Sequence, residues 1–480
     1  MADIAFHHGT RVFESQETPV LMRTSQSAVI GLIGTAPDAD AAVFPLNTPV
    51  LIKGSTELSK AKKLGAAGTL KAAVDDVFDQ VATYVYVVRV AEGANAAEQL
   101  SNLVGDATAK TGVHAFKKCE GLFGRKLKPR LIAAPGFTHS LATDGIASIN
   151  ITAPGDGYTS APTVTITGDG HGAEAVAVVS GGAVTDVVVT KPGWGYTEAT
   201  VAFAGGEGAD AAATANIGTV TNPVVQELVG VLEALRAVAF VDGPNTTDEA
   251  AVLYRETINS DRVYIVDPKV LVWDTELDAY ASRAASARFA GVQAKTDRVS
   301  GFWWSLSNKP INGIGGTVRP ISYGDHSDYL NENHVNTIIN LGEGWVTWGN
   351  RVATGIDLNK FISVRRTQDF INEAIESANL EFVDKPFSKA NIKFLIESNN
   401  AFMRVLKAEG AILGGRVWLD PDRNTDEEMA QGRITLAVEF EPPAPMEDIR
   451  FIQYRQIKYY AVLRREVLEE IADGALSPAA

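Results

Sequence analysis

The chain has 480 residues, 45% hydrophobic and 21% charged, a composition ordinary for globular protein and long enough for about three domains. A formal net charge of -15 excludes general nucleic-acid binding, because no basic surface dominates to release phosphate counterions; the single cysteine, Cys119, excludes an internal disulfide and a multi-thiolate metal site. No apolar run approaches the roughly 20 residues needed to span a bilayer, and Met1–Thr10 carries His7, His8 and Asp3 where a signal peptide places Lys or Arg, so a soluble, unexported chain in a reducing compartment is expected.

Residues 1–19 bury little by themselves. Phe6–Phe13 is nevertheless β-prone, with Arg11 among apolar or branched neighbours, and reads equally as a frayed terminus or as a strand added to another sheet. His7 and His8 point to opposite faces of any strand, which disfavours shared metal ligation. Residues 20–105 are expected to form a small α/β domain. Ala28–Ile33 and Val50–Ile52 read as buried strands, Leu70, Ala73, Val74, Val77 and Val81 keep helical spacing, and Tyr84–Val90 is strongly β-branched. Gly31-Leu32-Ile33-Gly34-Thr35 lacks the third glycine of a dinucleotide fingerprint, and no glycine-rich loop ends in Gly-Lys-Ser/Thr, so the glycines are read as turn residues.

Leu131–Ala134 is another short buried strand, but the helix expected after it is delayed. Residues 140–220 instead hold 14 glycines, eight acids and one base, Lys191, for a local charge of -7. Two halves repeat there, Pro154-Gly155-Asp156-Gly157-Tyr158-Thr159 answering Pro192-Gly193-Trp194-Gly195-Tyr196-Thr197, and short alternating segments between frequent turns predict an inserted all-β domain. Asn222 then caps a helix with Pro223 in its first position and Val225, Leu228, Val229, Leu232 and Leu235 on its face.

The stretch Leu235–Pro268 follows as the clearest unit in the chain. Ala237–Val241 and Val263–Val266 are buried strands; between them, a capping box of Thr246 and Glu249 opens a helix with Ala250, Tyr254 and Ile258 on one face. This βαβ unit predicts a parallel sheet with a right-handed crossover and anchors a middle domain of residues 106–139 and 221–355. A helix is expected over Thr275–Phe289. Phe302-Trp303-Trp304 reads as core or interface more readily than as a ligand platform, and His326 and His334, around Asp328 and Glu332, match no common metal spacing.

Residues 356–445 read as an α+β domain. A helix from about Ser388 to Ala408 stops at Gly410, and strands follow at Ala411–Leu419 and Arg433–Glu441; Ile434, Leu436, Val438 and Phe440 face one side of the second. An open two-stranded sheet is marginal, so this domain needs strands from elsewhere. In residues 446–480, Arg450–Arg465 carries five bases and no acid, with β-prone Ile449–Tyr460, and reads as a donated strand or as one completing its own sheet. The fold class is therefore α/β in the multi-domain α+β sense.

The ordered segments together resemble the tail sheath protein of contractile-tailed phages and R-type pyocins. The resemblance rests on Phe6–Val12, Phe44–Ile52, Pro129-Arg130 with Pro135-Gly136, Leu235–Val252, Ser305–Lys309, Leu330–Glu332, Trp348–Arg351, Asp384–Pro386 and the Pro442-Pro443 break; it covers nearly everything outside the insert. It implies a structural, non-enzymatic subunit without cofactor or metal, stacking as six-fold rings around a tail tube and contracting to drive that tube through the host envelope. Implied partners are further copies, the tube, baseplate and tail terminator proteins, with no nucleic acid and no stable membrane association; the implied location is the virion, after assembly in the host cytoplasm. Terminal arms would exchange strands through His8, Arg11, Val12 and Phe13 at one end and Ile452 and Tyr454 at the other. The C-terminal domain would face the tube, and Lys389, Lys393, Arg404 and Lys407 are the tube-facing candidates. Two further readings come from the residues alone: an enzyme using Asp242, Asp267 or Asn245 at the strand ends, and carbohydrate binding by the insert through Tyr158, Trp194 and Tyr196.

Overall fold

A computed structural model describes residues 26–275 and 278–474. Its centre is a nine-stranded sheet ordered Lys309–Pro310, Trp345–Trp348, Val335–Asn340, Val263–Val266, Val238–Asp242, Leu131–Ala133, Ile30–Thr35, Tyr84–Val90 and Val50–Lys53. The inner pairings are parallel and the edges antiparallel. Alternate residues of these strands feed two cores. Ile30, Leu32, Phe240 and Tyr264 lie in one; Val29, Ile33, Ala239 and Ile265 lie in the other. The boundary expected near residue 105 therefore separates no sheet: the interior strand Ile30–Thr35 pairs Tyr84–Val90 on one side and Leu131–Ala133 on the other. A strand apolar on both faces announces its burial but not its neighbours.

The βαβ unit forms as expected, with Ala239–Asp242 in parallel register with Val263–Val266. Its helix, Asp248–Glu256, is capped one residue later than the sequence suggested: Thr247, not Thr246, accepts from the Ala250 amide at 3.1 Å. Ala251, Val252 and Tyr254 are its buried residues, while Ala250 is half-buried. The helix expected over Thr275–Phe289 is a second correction. Val270–Asp274 and Ala279–Arg283 pair as antiparallel strands, with Trp273 opposite Tyr280 and their rings edge to face at 5.2 Å. The helix begins only at Ser286 and runs to Val299; it is buried on most of its circumference, so no one-sided apolar stripe marks it.

Asn222 accepts from the amides of Val224 and Val225 and opens the helix Pro223–Leu235. The insert before it is all-β. Ala142–Asp156 pairs with Ala209–Val220, and a four-stranded sheet runs Ala183–Trp194, His171–Ser180, Thr163–Gly168, Ala199–Ala204. Its two halves repeat in space: Tyr158 packs on Gly208 and Tyr196 on Gly170, where an added Cβ would lie 2.4 Å from the ring in both cases. Trp194 turns instead into the core of the body, and Lys191 reaches Glu227 of the helix Pro223–Leu235 at 3.2 Å.

Residues 445–474 form a separate unit, irregular up to Gln456 and helical over Tyr459–Ala472. Of the two readings of Ile449–Tyr460, a strand completing the chain's own sheet does not form. A β-prone segment without a ladder partner leaves its backbone groups to water, and extended pairing has nothing to hold it.

Replacing residues 140–220 by a short Gly-Ser linker between His139 and Thr221 is expected to leave a folded, polymer-forming protein, because strand and helix on either side are already packed. Loss of Trp194 from the core should lower stability by about 1–3 kcal/mol; urea unfolding and electron microscopy check both parts, and insoluble protein or failure to polymerise would show the insert to be integral.

Candidate assembly surfaces

The C-terminal ends of the parallel strands are where α/β proteins usually bind ligands. Here the polar groups at those ends are turned to structure. Asp242 is fully buried and accepts from the amides of Ala285 and Ser286, both at 2.9 Å, and from the Ser286 hydroxyl at 2.7 Å, so it caps the helix Ser286–Val299 from a distant strand. Burial pushes its carboxyl above the usual range, against the pull of those bonds. Asp267 is held by Arg319 and accepts from the Asn245 amide, while Asn245 Oδ1 accepts from the Lys269 amide at 2.8 Å. Arg319 also pairs Asp248. All three residues of the enzyme reading thus tie loops together.

The aromatics are spent similarly. Tyr158, Trp194 and Tyr196 are each more than nine-tenths buried, so their faces are closed to a sugar, which overturns the carbohydrate reading. Phe302 stacks on Phe370 at 3.9 Å and Trp303 meets its edge at 5.0 Å, placing both in a core with the C-terminal domain. His334 Nδ1 donates to Val352 O, 3.0 Å away, beside Arg255.

Among the described residues, two features of the C-terminal domain are open to other molecules. Its helix Lys389–Glu409 is capped by Ser388, which accepts from the Asn391 amide, and is ended by Gly410 in the left-handed conformation. Leu395, Phe402, Met403 and Leu406 are buried against the rest of the domain. Lys389, Lys393, Arg404 and Lys407 are all exposed. At about 100° per residue, these four fall within an arc of about 60°, forming one cationic stripe away from the packed side. Among the described residues none of them makes an ion pair. The second feature is the sheet of Gly414–Leu419 and Leu436–Glu441, in which each strand has one neighbour and the two outer edges carry no partner among the described residues. Of the strand-exchange candidates, Ile452 and Tyr454 are exposed in the separate unit, while His8, Arg11, Val12 and Phe13 lie outside the described residues.

A third cluster escaped the sequence reading. The helix Ile362–Asn379 faces the body through paired charges: Arg262 grips Asp369 with two bonds of 2.5 and 2.9 Å, Arg366 grips Asp297 at 2.7 and 2.5 Å, and Glu373 receives Arg130 and Lys128. Arg365, Asp369, Glu373 and Glu376 stand three and four residues apart, a pattern indistinguishable in sequence from a solvated helix face.

The polar groups at the strand ends are thus engaged in structure, while a two-stranded sheet with open edges and a cationic helix stripe stand exposed. Comparison with known proteins gives the family. Residues 189–353 match the phage tail sheath protein central domain, residues 357–455 the phage tail sheath C-terminal domain, and residues 27–90 the tail sheath protein Gp18 domain III N-terminal region. The tail sheath protein of Burkholderia phage BcepMu is 31% identical over 92% of this chain and 95% of its own length; that of Escherichia phage P2 is 26% identical over 95% and 98%. Among solved structures, the anti-feeding prophage helical sheath in its contracted state superposes with a TM-score of 0.59 at 17% identity, over 94% of this chain and 100% of that one. The sheath complex of the extracellular contractile injection system PVC, also contracted, gives 0.58 at 14% identity over 95% and 100%. The chain belongs to the tail sheath protein family and is a structural subunit of a contractile tail sheath.

Asp242→Ala is expected to cost about 1–3 kcal/mol by stranding the buried amides of Ala285 and Ser286, with Asp242→Asn retaining most of the stability. Because the folded carboxyl titrates above its unfolded value near 4, its contribution is fully present below that value and is lost as pH rises through the folded one. Urea titrations at pH 4 and pH 7 should therefore favour Asp242→Asn, relative to the parent, at the higher pH.

Proposed function

We propose that the chain polymerises as stacked six-fold rings around a tail tube and that contraction of this lattice drives the tube through the host envelope, with no catalytic step of its own. The unfinished two-stranded sheet carries this reading. A sheet with two bare edges is marginal alone and templates further strands, so it is completed by strands donated from neighbouring copies. The donors are residues 1–19, through His8, Arg11, Val12 and Phe13, and the C-terminal arm, through Ile452 and Tyr454. The exposure of Phe451, Ile452, Tyr454 and Ile457, at 75% or more, supports a segment awaiting a partner.

Lys389, Lys393, Arg404 and Lys407 face the tube in this reading. Charge on such a stripe guides docking and register, while each solvated contact stays weak enough to release on contraction. The acidic insert lies outward, as decoration. Baseplate and tail terminator proteins hold the two ends of the lattice, and assembly takes place in the bacterial cytoplasm before the sheath becomes part of a virion.

Two measurements test the proposal. Deleting Met1–Pro19 is expected to leave a folded monomer that forms no tubes; normal tubes by electron microscopy would sink strand exchange. Changing Lys389, Lys393, Arg404 and Lys407 together to Glu is expected to abolish extended sheath on tubes while still permitting empty polymer of the contracted type. Extended sheath with unchanged salt sensitivity would remove this helix from the attachment surface.

A further inference from the structure

The two ends of the body, at Ser27 and at Glu441, are roots of very different construction. At the first root, three successive carbonyls are each held by a different part of the molecule. Ser27 O accepts from Arg366 Nη2 at 3.3 Å, Ala28 O from Thr83 Oγ1 at 2.7 Å, and Val29 O from the amides of Arg130 and Leu131 at 2.8 and 3.2 Å. Arg366 is itself immobilised by its two bonds to Asp297, whose Oδ1 also accepts from Gln293. The chain then enters the strand Ile30–Thr35, which is paired along its whole length with Val85–Val90 and over Ile30–Leu32 with Leu131–Ala133. Every residue of that strand is buried. Withdrawing it means breaking two ladders and opening two cores together.

The second root is the strand Leu436–Glu441. It has a single neighbour, Gly414–Leu419, in antiparallel register from Gly414 opposite Glu441 to Leu419 opposite Leu436. None of its residues is fully buried. Its neighbour is held to the domain by Asn400, whose side chain bonds both the amide and the carbonyl of Val417 at 2.8 Å. A pull on the chain beyond Glu441 and the hold on Gly414, which follows the helix Lys389–Glu409, therefore act at the same end of the ladder. The pairs separate one after another, each opening bearing on few bonds, whereas the strand Ile30–Thr35 is held by a ladder on each side.

We propose that the arm roots are unequal anchors: under tension the chain holds at Ser27–Thr35, with Arg366 as the positioning residue of that root, and yields first at Leu436–Glu441. The proposal rests on the reading that the arms link neighbouring copies. On that reading a strand donated beside Leu436–Glu441 turns an edge into an interior strand, so the C-terminal link becomes strong only once a neighbour is seated, and an unassembled copy carries no load through it.

The test is optical-tweezers extension of the full-length monomer, with handles clicked onto azide-bearing residues introduced at Gln26 and Ala444. The expected first release is short, on the order of 90 Å for the stretch Gly414–Glu441 at roughly 3.5 Å per residue, well before longer ones. A disulfide between cysteines in Val417→Cys/Val438→Cys, which are cross-strand partners, should shorten that first release to about 20 Å, the length of the pairs outside the cross-link, and reduction of the same sample should restore it. Arg366→Ala should lower the force of the later releases without moving the first, with Arg366→Lys, which keeps a donor for Ser27 O, recovering part of that force. A first release of several hundred ångströms, or one indifferent to the disulfide, overturns the order of yielding; equal forces in Arg366→Ala and the parent remove Arg366 from the anchor. These outcomes are read on one unassembled chain and so do not depend on strand exchange, which the deletion of Met1–Pro19 tests separately.

Discussion

The helix Ile362–Asn379 is the constraint on which the placement of the whole C-terminal domain depends, because its two faces use different physics. Toward the body it presents Arg366, Asp369 and Glu373, each buried and each answered by an opposite charge. Toward the domain it presents Phe370, Ile371 and Ala374, which share a core with Phe402, Met403 and Leu406. Apolar packing tolerates small slides; two-point guanidinium–carboxylate contacts do not, since a shift of one residue leaves buried charges unpaired at a cost of about 3–5 kcal/mol each. The ionic face therefore sets register more than it adds stability. At the far end of the helix, the side-chain amides of Asn379 and Asn399 bond each other at 3.1 and 3.0 Å, fixing the next helix to the same frame.

The body that this helix is fixed to has turned its usual binding crevice into a joint. Asp242, at the end of one strand, caps a helix that begins more than forty residues later, and Arg319 binds Asp267 and Asp248 across neighbouring loops. The insert is mounted on the same body by Trp194 in its core and by Lys191, the only Lys or Arg of residues 140–220, on Glu227. A subunit that must transmit displacement gains from such closure, because an open cleft is a place where a domain can bend. Connections that would ordinarily flex are crossed here by buried polar contacts.

What the sequence disclosed follows from how locally each feature is encoded. Asn222-Pro223, Ser388 and Gly410 mark helix ends through their own side chains or their lack of one, and the structure places caps at each. The cationic stripe was legible as two pairs, Lys389 with Lys393 and Arg404 with Lys407, which the unbroken helix Lys389–Glu409 brings onto one side. Sheet neighbours are not encoded this way: Ile30–Thr35 and Leu131–Ala133 are a hundred residues apart, and two separate domains were the simpler reading of short apolar runs. The strand Ala279–Arg283 lies inside a stretch whose pattern predicts helix, because its conformation is set by Val270–Asp274 opposite it and by Gly316–Thr317 beyond. The ionic face of Ile362–Asn379 was invisible for another reason, as burial of an Arg is decided by the distant Asp or Glu that meets it.

The unfinished sheet ties these observations to assembly. An edge that templates further strands is normally blunted by charge, proline or a covering loop. Here Pro442, Pro443 and Pro445 stand immediately past Glu441, so the strand cannot lengthen and expose more edge, and Arg416 and Glu439 pair across the two strands at 2.5 Å. Those devices limit the length of the edge without closing it. A short edge accepts a short strand in one register and offers little purchase to indiscriminate pairing, so the devices that guard this edge against random partners still leave it open to one matching segment.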